Sequence, residues 1–245
     1  MVAGEGAAPT VGGGQYWYSG KGFIPPGACG AATASNVLAY LLRARPELCA
    51  AAADPDPHTS ADDPDPHAST DAPDPHSSAD DLGPHASTAV PAPEPLAVPM
   101  DGPPMEKAGY LEFMKKVYRF MYPRAGGLMS GDFLEGIDGL ASEYGLPIAA
   151  ERLVAPIAKP KRPSVPEVAA FVRCAFEADS PVAFLILSSA FVENLDTWHW
   201  VTILALDEEA GRVKIVDNCE VLWADLSAWL DKSIMGGSFV RLKVL

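Results

Sequence analysis

Between residues 50 and 104 the chain changes character so abruptly that no continuous core can run through it. Asp54-Pro55-Asp56-Pro57-His58, Asp63-Pro64-Asp65-Pro66-His67, Ala72-Pro73-Asp74-Pro75-His76 and Leu82-Gly83-Pro84-His85 recur every nine residues, and the segment holds 13 of the 24 prolines. With few large apolar side chains it buries too little surface to offset the entropy of ordering. It reads as a disordered insertion, an expanded coding repeat carried in a surface loop, because lengthening a loop adds little closure entropy. Its four His beside Asp also admit a metal-binding tract. A calcium-binding β-helix is excluded, since the Gly-Gly-x-Gly-x-Asp signature is absent. What must fold is a pair of pieces, 15–49 and 105–245, behind a flexible amino terminus, 1–14.

The same segment explains the charge. The whole chain of 245 residues carries a formal −14, but residues 50–104 hold eleven acids and no Lys or Arg. The remainder, 21 acids against 18 bases, stands near −3. The acidity therefore describes the insertion and says little about a site. No basic stripe interleaved with aromatics is present, which argues against a nucleic-acid partner. The first fourteen residues lack a basic and then apolar signal-peptide pattern, and no apolar run reaches the ~18 residues of a membrane span. Cys29, Cys49, Cys174 and Cys219 are widely spaced, so free thiols and a cytoplasmic location are expected. None of the last three has metal-ligand spacing with a His; no zinc and no other cofactor is expected.

Hydrophobic periodicity orders the elements. Pro25-Pro26-Gly27 gives way to an Ala/Leu-rich helix that begins near Cys29 and stops before Pro46. Tyr110, Phe113, Met114, Val117, Tyr118 and Met121 form a core-facing helical stripe. A further helix is predicted over 130–144, with Ser130 as N-cap and Gly145 as its stop, then a strand over 146–153. Ser164 opens a helix to residue 177. Strands follow at 181–187, 198–206, 212–216 and 239–244, with a short helix at 224–230. Residues 207–211 have hairpin-turn composition. Helices first and then a mainly antiparallel sheet make an α+β fold. Trp223 and Trp229 are assigned to the core.

Cys29 sits among small residues at the start of a helix, where unpaired N–H groups and the helix dipole favour a thiolate. Outside the repeat the chain has one histidine, His199, in Trp198-His199-Trp200-Val201-Thr202-Ile203. The next strand ends in Val216-Asp217-Asn218. Counting across the hairpin turn, the start of the first strand lies opposite the end of the second, so His199 and Asp217 fall near each other. That is the arrangement of an imidazole base and its orienting partner.

Cys29-Gly30-Ala31-Ala32 opening a helix, His199-Trp200-Val201-Thr202-Ile203 entering a strand, and Ile215-Val216-Asp217-Asn218 ending the next resemble papain-like cysteine peptidases. The nearest branch is the bacteriocin-processing, double-glycine leader peptidases. The resemblance spans about 15–49 and 105–245, with the repeat as an insertion. It implies Cys29 as nucleophile, His199 as general base and acid, and Asp217 as the orienting group, with Asn218 the alternative third member. It also implies a peptide or protein substrate and hydrolysis through a thioester. The branch places an oxyanion glutamine about six residues before the cysteine. Here Phe23 stands there, and Gln15, fourteen residues ahead, is the available amide. Trp198 and Trp200 are candidates for the walls of a substrate cleft. An inactive binding module and an acyl transferase are the alternatives on the same residues.

Overall fold

The computed structural model describes residues 2–3, 11–18, 25–49, 105–121 and 127–245. The expected disordered insertion and Phe23 lie outside them. Residues 2–3 (β1, Val2–Ala3) pair in parallel with β2, Met105–Glu106. The helices among the described residues are α1 (Ala28–Ala44), α2 (Lys107–Met121), α3 (Ser130–Glu143), α4 (Val165–Glu177) and α5 (Leu226–Lys232).

The central element is a six-stranded antiparallel sheet of β3 (Ile148–Ala155), β4 (Val182–Ile186), β5 (His199–Asp207), β6 (Arg212–Asp217), β7 (Glu220–Asp225) and β8 (Gly237–Val244). In space the order is β3-β8-β4-β5-β6-β7. One face is covered by α1, α2 and α3, and the other carries the cluster to which α4 and α5 contribute. The architecture is α+β, as expected.

α1 is apolar nearly all round: Ala28, Ala31, Ala34, Val37, Leu38, Leu41 and Leu42 are each at most 1% exposed. A helix of that kind belongs inside the molecule. Its alanines let the backbone lie close to β5, and Ser35 returns its hydroxyl to the Ala31 carbonyl at 2.7 Å. α2 buries Tyr110, Phe113, Met114, Val117 and Met121, whereas Tyr118 stays half-exposed and donates to the Pro26 carbonyl. Ser164 caps α4 with Glu167 in a reciprocal box.

Four expectations need correction. Met129, not Ser130, is the N-cap of α3, with Asp132 accepting from the Met129 N–H; Ser130 is the first helical residue, and its hydroxyl accepts from Arg152 and Ser238. The 224–230 helix begins later, at Leu226, because residues 220–225 form a strand that periodicity did not show. β7 is an edge strand with one buried residue, Ala224, so its sequence carries no strong alternation. Its hairpin turn, Asn218-Cys219, holds both residues at positive φ (45° and 74°) without the usual glycine. Trp223, on that edge, is 39% exposed and lies under Arg212 and Lys214 rather than in the core. Finally, residues 11–14 are not a loose lead-in. Gly13 is buried, its N–H donates to Asn36 Oδ1 at 2.8 Å, and a Cβ there would come within 2.6 Å of Tyr110 and Met114.

Candidate active site

Cys29 is the second residue of α1. Gly27, at φ 69°, turns the chain into the helix, and its carbonyl accepts from the Ala31 N–H. The amides of Cys29 and Gly30 make no hydrogen bond among the described residues. They are the open donors that a helix start leaves. Gly30 is required by space: a Cβ would meet Leu128 at 2.5 Å and Trp200 at 3.1 Å. Without it the Cys29 end of α1 cannot seat on β5.

His199 opens β5 and is 7% exposed. Its Nε2 lies 2.7 Å from Asp217 Oδ1. Its imidazole shares a narrow cleft with Cys29, whose proximity favours the protonated ring. With Nε2 on the carboxylate, Nδ1 is the nitrogen left for sulfur. Burial works against the imidazolium, but the hydrogen bond and charge of Asp217 and the nearby Cys29 outweigh it, and the His199 pKa is pushed up from 6.5 to about 10.

A β-bulge brings the acid to the imidazole. On β6, Val213 and Ile215 face the same apolar cluster, and Asp217 continues that face. Along the turn end of β5, Leu206 pairs with Val213; past Leu204 the register shifts by one, and Ile203 pairs with Ile215. The shift puts Val201 and His199 on the Asp217 face. Without it, His199 would point to the opposite side of the sheet.

Asn218, expected as an alternative third member, stands behind the acid instead. Its Nδ2 donates to Asp217 Oδ1 at 2.9 Å, the oxygen that His199 uses, and its Oδ1 accepts from the Gln15 backbone N–H at 3.3 Å. Gln15 begins a 3₁₀ turn, Gln15–Tyr18, and lines one narrow cleft with Cys29, His199, Trp200, Asp217 and Asn218. The cleft holds about 10 Å³, room for about one water. The Gln15 carboxamide makes no hydrogen bond among the described residues.

Trp200 serves the core as much as the cleft. It stacks on Phe133 with centroids 4.6 Å apart, and its indole N–H donates to the Leu128 carbonyl at 2.8 Å. Trp198 is 52% exposed, sits at φ 59° and is not among the cleft's lining residues.

Two residues were missed from the sequence. Asn36 joins the cleft wall and pins Gly13, accepting also from Tyr110 Oη at 2.7 Å. A polar residue seven positions after Cys29, on the same face of an apolar helix, was the available signal. Asp196 has a carboxylate oxygen within 4.8 Å of ligand atoms of both His199 and Asp217. It lies in an irregular loop, where spacing predicts nothing. This trio is the grouping that offers metal-ligand atoms among the described residues, but Nε2 is engaged by Asp217, so no resident metal is assigned. None of the four cysteines is in a disulfide.

No family model matches the chain, and no curated protein does. Among solved structures four chains match. One is the N-terminal peptidase C39-like domain of the toxin secretion ATP-binding protein from Vibrio parahaemolyticus, at 10% identity and a TM-score of 0.30, covering 54% of this chain and 82% of that one. A likeness at that level carries no argument about fold or activity.

Proposed function

We propose that the protein is a papain-like cysteine hydrolase that cleaves a peptide or another amide bond. The observation that carries this reading is a cysteine at the start of a buried helix, sharing one narrow cleft with an imidazole whose Nε2 is held by a carboxylate. His199 keeps its proton at neutral pH and stands ready to give it to a leaving amine.

In this mechanism the Cys29 thiolate, whose proton His199 carries, forms a bond to the substrate carbonyl carbon, and the carbonyl electron pair moves to oxygen. The Cys29 amide and the Gln15 carboxamide are the donors proposed for that oxyanion. As the tetrahedral species collapses, the C–N bond breaks and the departing nitrogen takes the His199 proton. Water then attacks the thioester and gives one proton to His199; the C–S bond breaks, releasing the carboxylic acid and restoring the Cys29 thiolate beside protonated His199. Asp217 holds the imidazole with Nδ1 toward sulfur, and Asn218 fixes the carboxylate that does so.

The test is labelling by a thiol-directed peptide probe, with hydrolysis of a peptide library measured in parallel. Cys29→Ala and His199→Ala each abolish both, while Cys174→Ala, at an exposed cysteine, changes neither. Normal hydrolysis by Cys29→Ala would falsify the mechanism.

A further inference from the structure

The face of α1 that carries Cys29 does not end at the narrow cleft. Cys29, Ala32, Thr33 and Asn36 line that cleft, and Asn36, Ala39, Tyr40 and Arg43 line a second cavity farther along the same face. This cavity holds about 450 Å³, within the range of small-molecule sites. Asn36 and Val216 border both spaces, and Asn36 is fixed between Gly13 and Tyr110. The two are therefore neighbours behind a shared partition.

The walls are apolar where they meet the sheet: Leu204 of β5 and Val216 of β6 face Ala39 across the space, with the Tyr40 ring 55% exposed beside it. Against them stand three polar groups. The half-buried Arg43 guanidinium and the Asp179 carboxylate, both on the lining, make no hydrogen bond or ion pair among the described residues, with each other or with anything else. Arg45, which feels the Asp179 charge from a distance, is already held by Glu47. The third group is Thr202 Oγ1, which is buried and has no hydrogen-bond partner. Buried polar atoms are nearly always satisfied, so an orphan beside a cavity points to a missing partner.

Opposite charges on the lining, a half-buried Arg43 and an exposed Asp179, together with apolar walls select a narrow ligand class. A fatty acid would answer Arg43 and leave Asp179 uncompensated, and an alkylamine would do the reverse. We propose that this cavity binds a free α-amino acid with a bulky apolar side chain. Its carboxylate meets Arg43, its ammonium meets Asp179, and its side chain packs between Ala39, Leu204 and Val216. The Thr202 hydroxyl, after rotation about χ1, supplies one further hydrogen bond. The site is separate from Cys29, and it stands or falls independently of the hydrolase reading.

The probe is L-phenylalanine, titrated calorimetrically into the full chain and into its Cys29→Ala variant. Binding is expected with a dissociation constant of about 1 mM or tighter, equal in both proteins. N-acetyl-L-phenylalanine and L-phenylalanine amide each remove one charge and are expected to bind at least about tenfold more weakly, as is L-phenylalanine to Arg43→Gln or Asp179→Asn. The ligand analogues leave the fold untouched, so the test survives a variant that fails to fold. No heat at about 10 mM ligand, or equal binding by the blocked analogues, overturns the proposal. Loss of binding in Cys29→Ala also overturns it, by moving the ligand into the narrow cleft.

Discussion

The two faces of the sheet are built from different materials. The face under α4 and α5 is an aromatic lock: Trp229 meets Phe184 edge-on at 4.7 Å, Phe184 stacks on Phe239 at 4.6 Å, and all three are fully buried. Its one side-chain donor at the centre, the Trp229 indole, is satisfied by the Ser188 carbonyl. The face under α1 has rings of its own, Phe133 stacked on Trp200, but α1 itself meets the sheet mainly with alanine and leucine, and polar groups are set around it: Ser35, Ser130, Thr202 and the Asn36–Tyr110 pair. Both cavities open on the α1 side. Large flat rings fill space and fix register, whereas small side chains leave a helix close enough to deliver a sulfur and loose enough to leave room beside it. One face holds the molecule together; the other brings Cys29 to the end of the sheet, where His199 and Asp217 meet it in one cleft.

Removing the lock is the strongest way to break that division. Trp229→Ala is expected to cost about 3–5 kcal/mol of folding stability, measured by urea unfolding, while the folded fraction keeps the wild-type pH profile. A shifted profile would show that the two faces are not separable. Next in size is Asp217→Asn. Because Asp217 raises the His199 pKa, its loss should move the alkaline limb of the pH profile to lower pH and reduce kcat on the order of 10²–10⁴. The same raised pKa gives stability a pH dependence. The contribution of His199 is fully present below its ordinary 6.5 and is lost as pH rises through about 10. Wild-type unfolding free energy should therefore fall between those limits, and Asp217→Asn should flatten the fall. An unchanged slope would remove Asp217 as the source. The smallest effect sharpens the contrast instead. Thr202→Val removes a buried hydroxyl that has no partner, and it should stabilise the chain by about 1 kcal/mol in the same assay.

Periodicity carried the fold wherever burial was one-sided or complete. The helical stripe at Tyr110, Phe113, Met114 and Val117 and the apolar runs of β4 and β5 declared themselves because their environments are uniform along the element. β7 was silent because an edge strand with one buried side chain has no period to show, and Trp223 was misassigned for the same reason: a large ring was read as core where it lies flat under two cations. Ser130 looked like a cap by residue type, but the helix boundary falls one residue earlier, at Met129. At the candidate site, Cys29, His199 and Asp217 were legible because helix start and hairpin arithmetic place them. The arithmetic was nevertheless incomplete, since the bulge at Leu204 is invisible in composition and decides which side of the sheet His199 faces. Asn218, offered as an alternative to Asp217, donates to that carboxylate, and Asp196 came from a loop without a pattern.

The bulge makes the chain's tolerance to length change uneven. An added or lost residue in the turn 208–211 alters only how β5 and β6 are joined, because every pair beyond it keeps its partner. The same change between 203 and 205 acts like a frameshift in space: side chains nearer the turn keep their places, and every side chain from Ile203 back to His199 changes sides. A single residue of sequence drift at Leu204 would leave composition, charge and hydropathy untouched and yet carry the imidazole to the far side of the sheet from the carboxylate.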